Sequence, residues 1–178
     1  MHRIRIRRGD ITAVSSDVIV NAANERLVPG GGVCGAIHRA AGPELEEACR
    51  SVGRCPTGSA RITRAYRLPA RYVVHAVGPR WSGGGAAEDE LLASAHVDAV
   101  HLAADHGGRT IAFPAISCGI FGYPPERAAL VAIRAVRRAL ADAPGIERVT
   151  FFLLDPDVEA AFRRVREDEA VRVAAGAA

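Results

Sequence analysis

No stretch of this sequence stays apolar for the roughly 20 residues that a membrane-spanning helix needs. Its first ten residues, MHRIRIRRGD, hold no apolar core segment, so no secretory leader is expected. Cysteine is sparse: Cys34, Cys49, Cys55 and Cys118 are the four in the chain, and none forms a C-x-x-C pair. No histidine stands at finger-like spacing from them, which removes the usual signature of structural zinc. Without an export signal, reduced thiols in a cytoplasm are expected. The net charge, +3, is too small to argue for nucleic acid by itself. There is no G-x-x-x-x-G-K-[ST] phosphate loop, no internal repeat and no domain-length linker. Gly30, Gly32 and Gly35 do fit G-x-G-x-x-G. However, eight residues separate Asn21 from Gly30, whereas the dinucleotide motif follows its strand at once. No acidic residue closes a strand about 20 residues further on, where the sequence reads CPTGS. That match is read as a decoy.

What is present is ordinary globular composition, 49% hydrophobic and 24% charged over 178 residues, enough for one core without staples. RIRIR (residues 3–7) alternates Ile inward and Arg outward, as a half-buried strand does. Its arginine face (Arg3, Arg5, Arg7, Arg8) reads as solvated, with nucleic-acid contact as the alternative. DVIVNAA (17–23) carries the continuous apolar run of a strand covered on both faces. GAIHRAA forms a helix broken at Gly42-Pro43, and PELEEACRSV restarts with proline in its first turn and acids near its positive end. CPTGSARIT and RYVVHAVGP supply two strands, and SGGGAAED is expected as a flexible loop before a helix over about 89–106. TIAFPAIS is a strand, Pro125 opens a helix to about Asp142, RVTFFLL is a strand, and PDVEAAFRRVRED is a last helix. Strands alternating with helices predict a central, largely parallel sheet with helices on both faces. One domain is expected over residues 1–167, with 168–178 as a frayed tail.

In open α/β sheets, ligands sit outside the carboxyl ends of the strands. NAANERLVPGGGV (21–33) and ISCGIFG (116–122) each place glycines between a strand and a helix N-terminus. Free N–H groups and the helix dipole favour an anion there. One such loop is a weak signal; two on one sheet suggest two jaws around a diphosphate. Asn21 and Asn24 could bond a ribose or fix the loop backbone. Asp10 could accept from an adenine amino group or cap the turn after the first strand.

GDIT (9–12), DVIVNAAN (17–24), GGGV (30–33), IHRAAGP (37–43), CPTG (55–58), LPARYVVHAVGP (68–79), AFPAIS (112–117) and GIFGYP (119–124) occur in this order. Together they resemble the macrodomain family, MacroD type, over about residues 3–165. The resemblance implies a three-layer α/β/α macrodomain with a central mixed, largely parallel sheet. It implies an ADP-ribose-binding hydrolase that removes single ADP-ribose groups from acidic side chains and deacetylates O-acetyl-ADP-ribose. No cofactor or metal is implied. The implied partners are ADP-ribose and mono-ADP-ribosylated proteins, acting on a monomer, with neither membrane nor nucleic acid. By position, Asp10 would bind the adenine amino group with the Ile11 backbone assisting. Asn24 would hold the distal ribose, with Asn21 nearby in the same motif, and Gly31, Gly32 and Val33 would give amides to the diphosphate. Ser117, Cys118, Gly119, Ile120 and Phe121 would form the second jaw, Phe121 packing on the distal ribose. His38 stands where the family motif has its histidine, and the catalytic candidates are Asn24, Cys34 and His38.

Two positions depart from the family pattern. The motif reads G-G-G-V-D, its Asp orienting or activating the attacking water, and this chain has Cys34 there. The residue aligned with the family's adenine-stacking aromatic is Leu154, which weakens stacking. Four readings of Cys34 follow. It could be a nucleophile near a helix N-terminus with His38 one turn away. It could be a metal ligand with His38, or a disulfide partner of Cys118. It could also be a small side chain that leaves the chemistry to other groups. The last is preferred, because a substrate phosphate can hold and polarise a water without a carboxylate. A slowed hydrolase is therefore expected. His38 could equally be structural, donating to a backbone carbonyl. His75 reads as a packed strand residue, and Trp81 either edges the pocket or ends the strand region. The alternatives to a hydrolase are a non-catalytic ADP-ribose reader, favoured by Cys34, and RNA or poly(A) binding.

Overall fold

The computed structural model describes residues 2–176. Six strands are formed, β1 (Ile4–Arg8), β2 (Val18–Ala22), β3 (Ala60–Arg64), β4 (Tyr72–Ala76), β5 (Thr110–Phe113) and β6 (Arg148–Leu153). Five helices join them: α1 (Gly32–Ala41), α2 (Pro43–Val52), α3 (Glu88–Asp105), α4 (Pro125–Asp142) and α5 (Pro156–Ala174). A single 3-10 turn spans Ile11–Ala13. The strand order is β1-β6-β5-β2-β4-β3. The pairs β1–β6, β6–β5, β5–β2 and β2–β4 are parallel, and β3 runs antiparallel to β4. None of these helices is long and apolar enough to cross a membrane.

The central position of β2 follows from its composition. Val18, Ile19, Val20 and Asn21 are all buried, so both faces of the strand are covered. Val18 and Val20 join Leu92 of α3, Ile133 of α4 and Phe162 of α5 in one core. Ile19 joins Ile37 of α1 and Leu45 of α2 in the other. These are the three layers expected. Gly42 ends α1 at φ +89°, and Pro43 opens α2 in its first turn. On β1, Ile4 and Ile6 are buried while Arg5, Arg7 and Arg8 face solvent.

Three sequence expectations differ from the structure. Arg3 is not a free member of the solvated arginine face. Its guanidinium donates to the carbonyls of Leu140 (2.7 Å), Ile146 (2.9 Å) and Ala143 (3.3 Å), capping the C-terminal end of α4. The SGGGAAED segment is held rather than loose. The Glu88 carboxylate accepts from Ser82 N (2.9 Å), Ser82 Oγ (2.8 Å), Gly84 N (3.1 Å) and Ala86 N (2.6 Å). Those donors, the Ala86 amide foremost, hold its carboxyl down to about 2. Finally, the expected frayed tail is helical to Ala174, and Glu169 within it is buried and ion-paired with Arg134 (2.8 Å) and Arg137 (3.6 Å).

The sheet order also places the crevice. From β2 the chain crosses through α1 and α2 on one face to the antiparallel edge strand β3, then turns back into β4. From β5 it crosses through α4 on the other face and reaches β6. The two adjacent strands therefore send their outgoing loops in opposite directions, and a cleft opens between them.

Candidate active site

A cleft of about 180 Å³ lies at that divergence. One wall is Asn24 with residues 30–34; the other is residues 115–117 and 119–121, with Gly78 between them. The first wall is shaped by Asn24. Its Nδ2 donates to Val28 O (2.7 Å), and its Oδ1 accepts from Val28 N (3.2 Å). This closes a tight loop in which Leu27 takes φ +55°. Asn24 thus fixes the loop backbone, and one N–H and one lone pair of its amide remain for a ligand.

Beyond the loop, α1 begins at Gly32, with Gly31 as its N-cap and no side-chain cap. The first-turn N–H groups of a helix have no intrahelical acceptor, and they carry the positive end of the dipole. Gly32 sits at φ +55°, a region glycine enters without strain. A Cβ at Gly31 or Gly32 would meet nothing within 4 Å, so this backbone faces open space. Gly35 has a different duty: a Cβ there would drive into the Gly30 carbonyl oxygen. The helix can start this close to the loop only because residue 35 lacks a side chain.

The second wall is braced from behind. Tyr123 N donates to Ser117 O (3.0 Å), Gly122 N to Gly119 O (2.9 Å) and Trp81 N to Phe121 O (2.8 Å). Ser117 is held at φ +67°, with its Oγ buried and unpartnered. A Cβ on Gly78 would strike that hydroxyl and Ile116, so Gly78 sets how near the wall stands. Trp81 does not line the cleft; its ring packs on Tyr123 (4.7 Å between centroids) under the Arg127 guanidinium. Tyr123 in turn donates to Asp89.

Cys34 lines the first wall from below. Its Sγ lies 3.7 Å from Asn21 Nδ2 and 3.8 Å from Val28 O. Asn21 is fully buried, and the same Nδ2 lies 3.2 Å from His75 Nδ1. Burial first, and the neighbouring His38 second, push His75 down to about 3, so its ring is neutral. With Nδ1 accepting from the amide, the ring proton is assigned to Nε2, which donates to Thr63 Oγ1 (3.0 Å); Thr63 donates onward to Arg64 O (3.1 Å). Cys49 Sγ is 3.6 Å from the same Nε2, and burial pushes its thiol up to about 11. A chain of buried polar groups therefore runs from β3 through β4 and β2 to the floor of the cleft. Asn21 Oδ1 in this chain, and Nδ1 of the neighbouring His38, are buried without a partner.

The active readings of Cys34 find no support in this geometry. Among the described residues Cys34 makes no bond to His38, and no three His, Cys, Asp or Glu side chains gather at metal-binding distance. All four cysteines are free. Cys118 does not line the cleft; it packs against the core on the α3–α5 side, and burial pushes its thiol up to about 12. His38 is itself buried, which pushes its pKa down, and its Nδ1 does not donate to a backbone carbonyl.

Of the predicted site residues, the cleft brings together Asn24, Gly31, Gly32, Val33, Cys34, Ser117, Gly119, Ile120 and Phe121. Asn21 and His38 stand behind the wall. Asp10 and Ile11 do not line it. The Asp10 carboxylate caps the 3-10 turn, accepting from Thr12 N and Thr12 Oγ1 at 2.8 Å each, and Ile11 is buried in the core beneath α1. Leu154 is 69% exposed beyond β6, also outside the cleft. Gly78 is a site residue that the sequence does not single out; its close approach to Ser117 is a long-range contact with no local signal.

A family model, the Macro domain, matches residues 20–132. A macro domain-containing protein of Chlorobaculum tepidum is 60% identical over 144 residues, covering 81% of this chain and 84% of the relative. A protein of Enterobacter cloacae named O-acetyl-ADP-ribose deacetylase is 50% identical over 167 residues, covering 92% of this chain and 93% of the relative. Among solved structures, the Trypanosoma brucei macrodomain in complex with ADP-ribose superposes with a TM-score of 0.85 at 37% identity, covering 91% of this chain and 68% of the other. The model spans more than half of the sequence and the first relative most of it, so the chain belongs to the macro domain family.

Proposed function

We propose that the chain binds ADP-ribose in the cleft between its two glycine loops. We propose further that it hydrolyses mono-ADP-ribosyl esters on acidic side chains and O-acetyl-ADP-ribose, at a rate reduced because position 34 is cysteine. The observation that carries the reading is the uncapped start of α1 at Gly31 and Gly32, open to the cleft and facing a second loop from the next strand. A diphosphate would meet first-turn amides and the positive end of a helix dipole there. Asn24 and Phe121 would hold the distal ribose at one end of the cleft. The Enterobacter relative's name and the Trypanosoma complex support the substrate class.

Hydrolysis consumes one water and returns ADP-ribose and the free acid. A positioned general base is worth about 10²–10⁴-fold in such a step. No carboxylate lines the cleft, and Cys34 Sγ is engaged by Asn21 and Val28. What remains is orientation of water by the bound phosphates and the loop. The same missing carboxylate favours the second reading, a module that binds ADP-ribose and does not cut it.

The test is loss of label from a protein carrying mono-ADP-ribose on Glu or Asp, with ADP-ribose affinity followed by calorimetry. Slow release by the parent, faster release by Cys34→Asp and loss of release in Asn24→Ala are expected. Micromolar binding with no release above blank would select the reader.

A further inference from the structure

The cleft does not end at Asn24 and Phe121. A second hollow of about 560 Å³ opens beyond them, sharing Asn24, Gly78 and Phe121 and bordered by Arg26, Arg54 and Arg80. These arginines are not equivalent. Arg54 is paired with Glu25 (3.1 Å), and Glu25 also accepts from Thr57 N (3.2 Å) and Thr57 Oγ1 (2.9 Å). Those bonds, the Thr57 hydroxyl foremost, hold the Glu25 carboxyl below its usual value, so this pair is internally neutral. It fastens the loop after β2 to the turn before β3. Arg26 and Arg80 are exposed and have no acidic partner among the described residues. The Arg80 guanidinium lies over the Phe121 ring, 4.5 Å from its centroid, and both residues line the hollow.

We infer that this hollow is the acceptor-side subsite: it takes an acidic protein segment flanking the modified Glu or Asp, whose carboxylates pair with Arg26 and Arg80. The inference rests on the ADP-ribose reading of the cleft. If the distal ribose lies between Asn24 and Phe121, the acyl group esterified to it leaves the cleft at those two residues and enters the hollow. Two free guanidiniums there suit carboxylates by fork geometry. A polynucleotide is the poorer fit. Its bases need open aromatic faces, and the one aromatic on this rim, Phe121, is already covered by Arg80.

Two exposed pairs are worth roughly three- to tenfold in affinity. The experiment is calorimetry on the full chain with three probes. They are free ADP-ribose, an acid-flanked peptide carrying ADP-ribose through a hydrolysis-resistant amide link, and the same peptide with lysine flanks. The acid-flanked peptide should bind roughly three- to tenfold more tightly than free ADP-ribose, an advantage that fades at about 0.5 M salt. That ratio should fall to about one in Arg26→Glu and in the Arg26→Glu, Arg80→Gln double variant. It should hold in Arg138→Glu, whose charge is on α4 outside the hollow. Equal binding of all three probes by the parent overturns the subsite, as does an equal fall in Arg138→Glu. A fourth probe, an oligonucleotide ADP-ribosylated at its 5′ phosphate, also overturns it, in favour of nucleic acid, if it binds more tightly than the acid-flanked peptide. If free ADP-ribose does not bind at all, the reading of the cleft fails and takes the subsite with it. If the ratio behaves as expected while ester substrates are not cleaved, the subsite stands and only the enzyme reading falls.

Discussion

Cys34 is held by geometry: its thiol lies between an amide of β2 and a loop carbonyl, and its partner Asn21 is in turn held by neutral His75. A carboxylate in the same place would accept from Asn21 Nδ2 and still border the cleft. Cys34→Asp is therefore expected to speed release of ester-linked ADP-ribose by about 10–10²-fold, part of the range for a general base. Single-turnover release assays of parent and variant decide this; equal rates would show that position 34 does not limit the reaction. Cys34→Ser should keep both fold and slow turnover, which a thiol nucleophile would not allow. His75→Leu should cost about 1–3 kcal/mol, because Asn21 and Thr63 lose a buried partner. Denaturant unfolding measures that loss, and weakened ADP-ribose binding at a temperature where the variant is folded would show that the chain also shapes the cleft.

The elements turn glycines into two separate devices. Gly31 caps α1 and faces open space, whereas Gly35 inside α1 touches the Gly30 carbonyl. Gly31→Ala should leave unfolding stability within about 0.5 kcal/mol of the parent, yet weaken ADP-ribose binding by putting a methyl group over the first-turn amides of α1. Gly35→Ala should cost about 1–3 kcal/mol through overpacking and lose binding as the loop shifts. Parallel unfolding and calorimetry of the two variants separate the effects. If both lose stability equally, the N-terminal turn is not open as described. In the other jaw, the close approach of Gly78 to Ser117 plays the part of Gly35: it fixes the distance between walls that come from different strands.

At the scale of the whole molecule, two buried histidines tie stability to pH. Burial pushes His75 down to about 3 and His96 down to about 4, from an ordinary value near 6.5. Below about pH 6.5 the unfolded chain binds protons at both positions, and the folded chain does not. Stability therefore rises with pH through this range; it is complete above about 6.5 and is lost as pH falls towards 4. Each histidine contributes a slope of up to about 1.4 kcal/mol per pH unit. Urea unfolding at pH 7.5 and 5 should show the loss, and His96→Leu should flatten the slope whatever it does to stability at neutral pH. Parent stability unchanged between those pH values would contradict the burial of both rings.

How much of this could be read directly from the residues depends on range. The order of strands and helices and the two glycine loops were legible in the residues alone, because alternation, apolar runs and Gly-Pro breaks are local signals; the family was legible in the order of its motifs. The sequence also pointed to Asn24, Gly31, Gly32 and Phe121, which line the cleft and whose motifs are contiguous. What Cys34 touches emerges with the folded chain, since Asn21 and Val28 reach it from separate segments and His75 holds Asn21 from a third. The same is true of Arg3 capping α4, of Glu88 ordering the loop before α3, and of Glu169 buried in a segment expected to fray. Each is a polar group whose partner lies in another segment or across a loop closed by folding. Periodicity records which face of an element is buried, but not which distant donor or acceptor will meet it there.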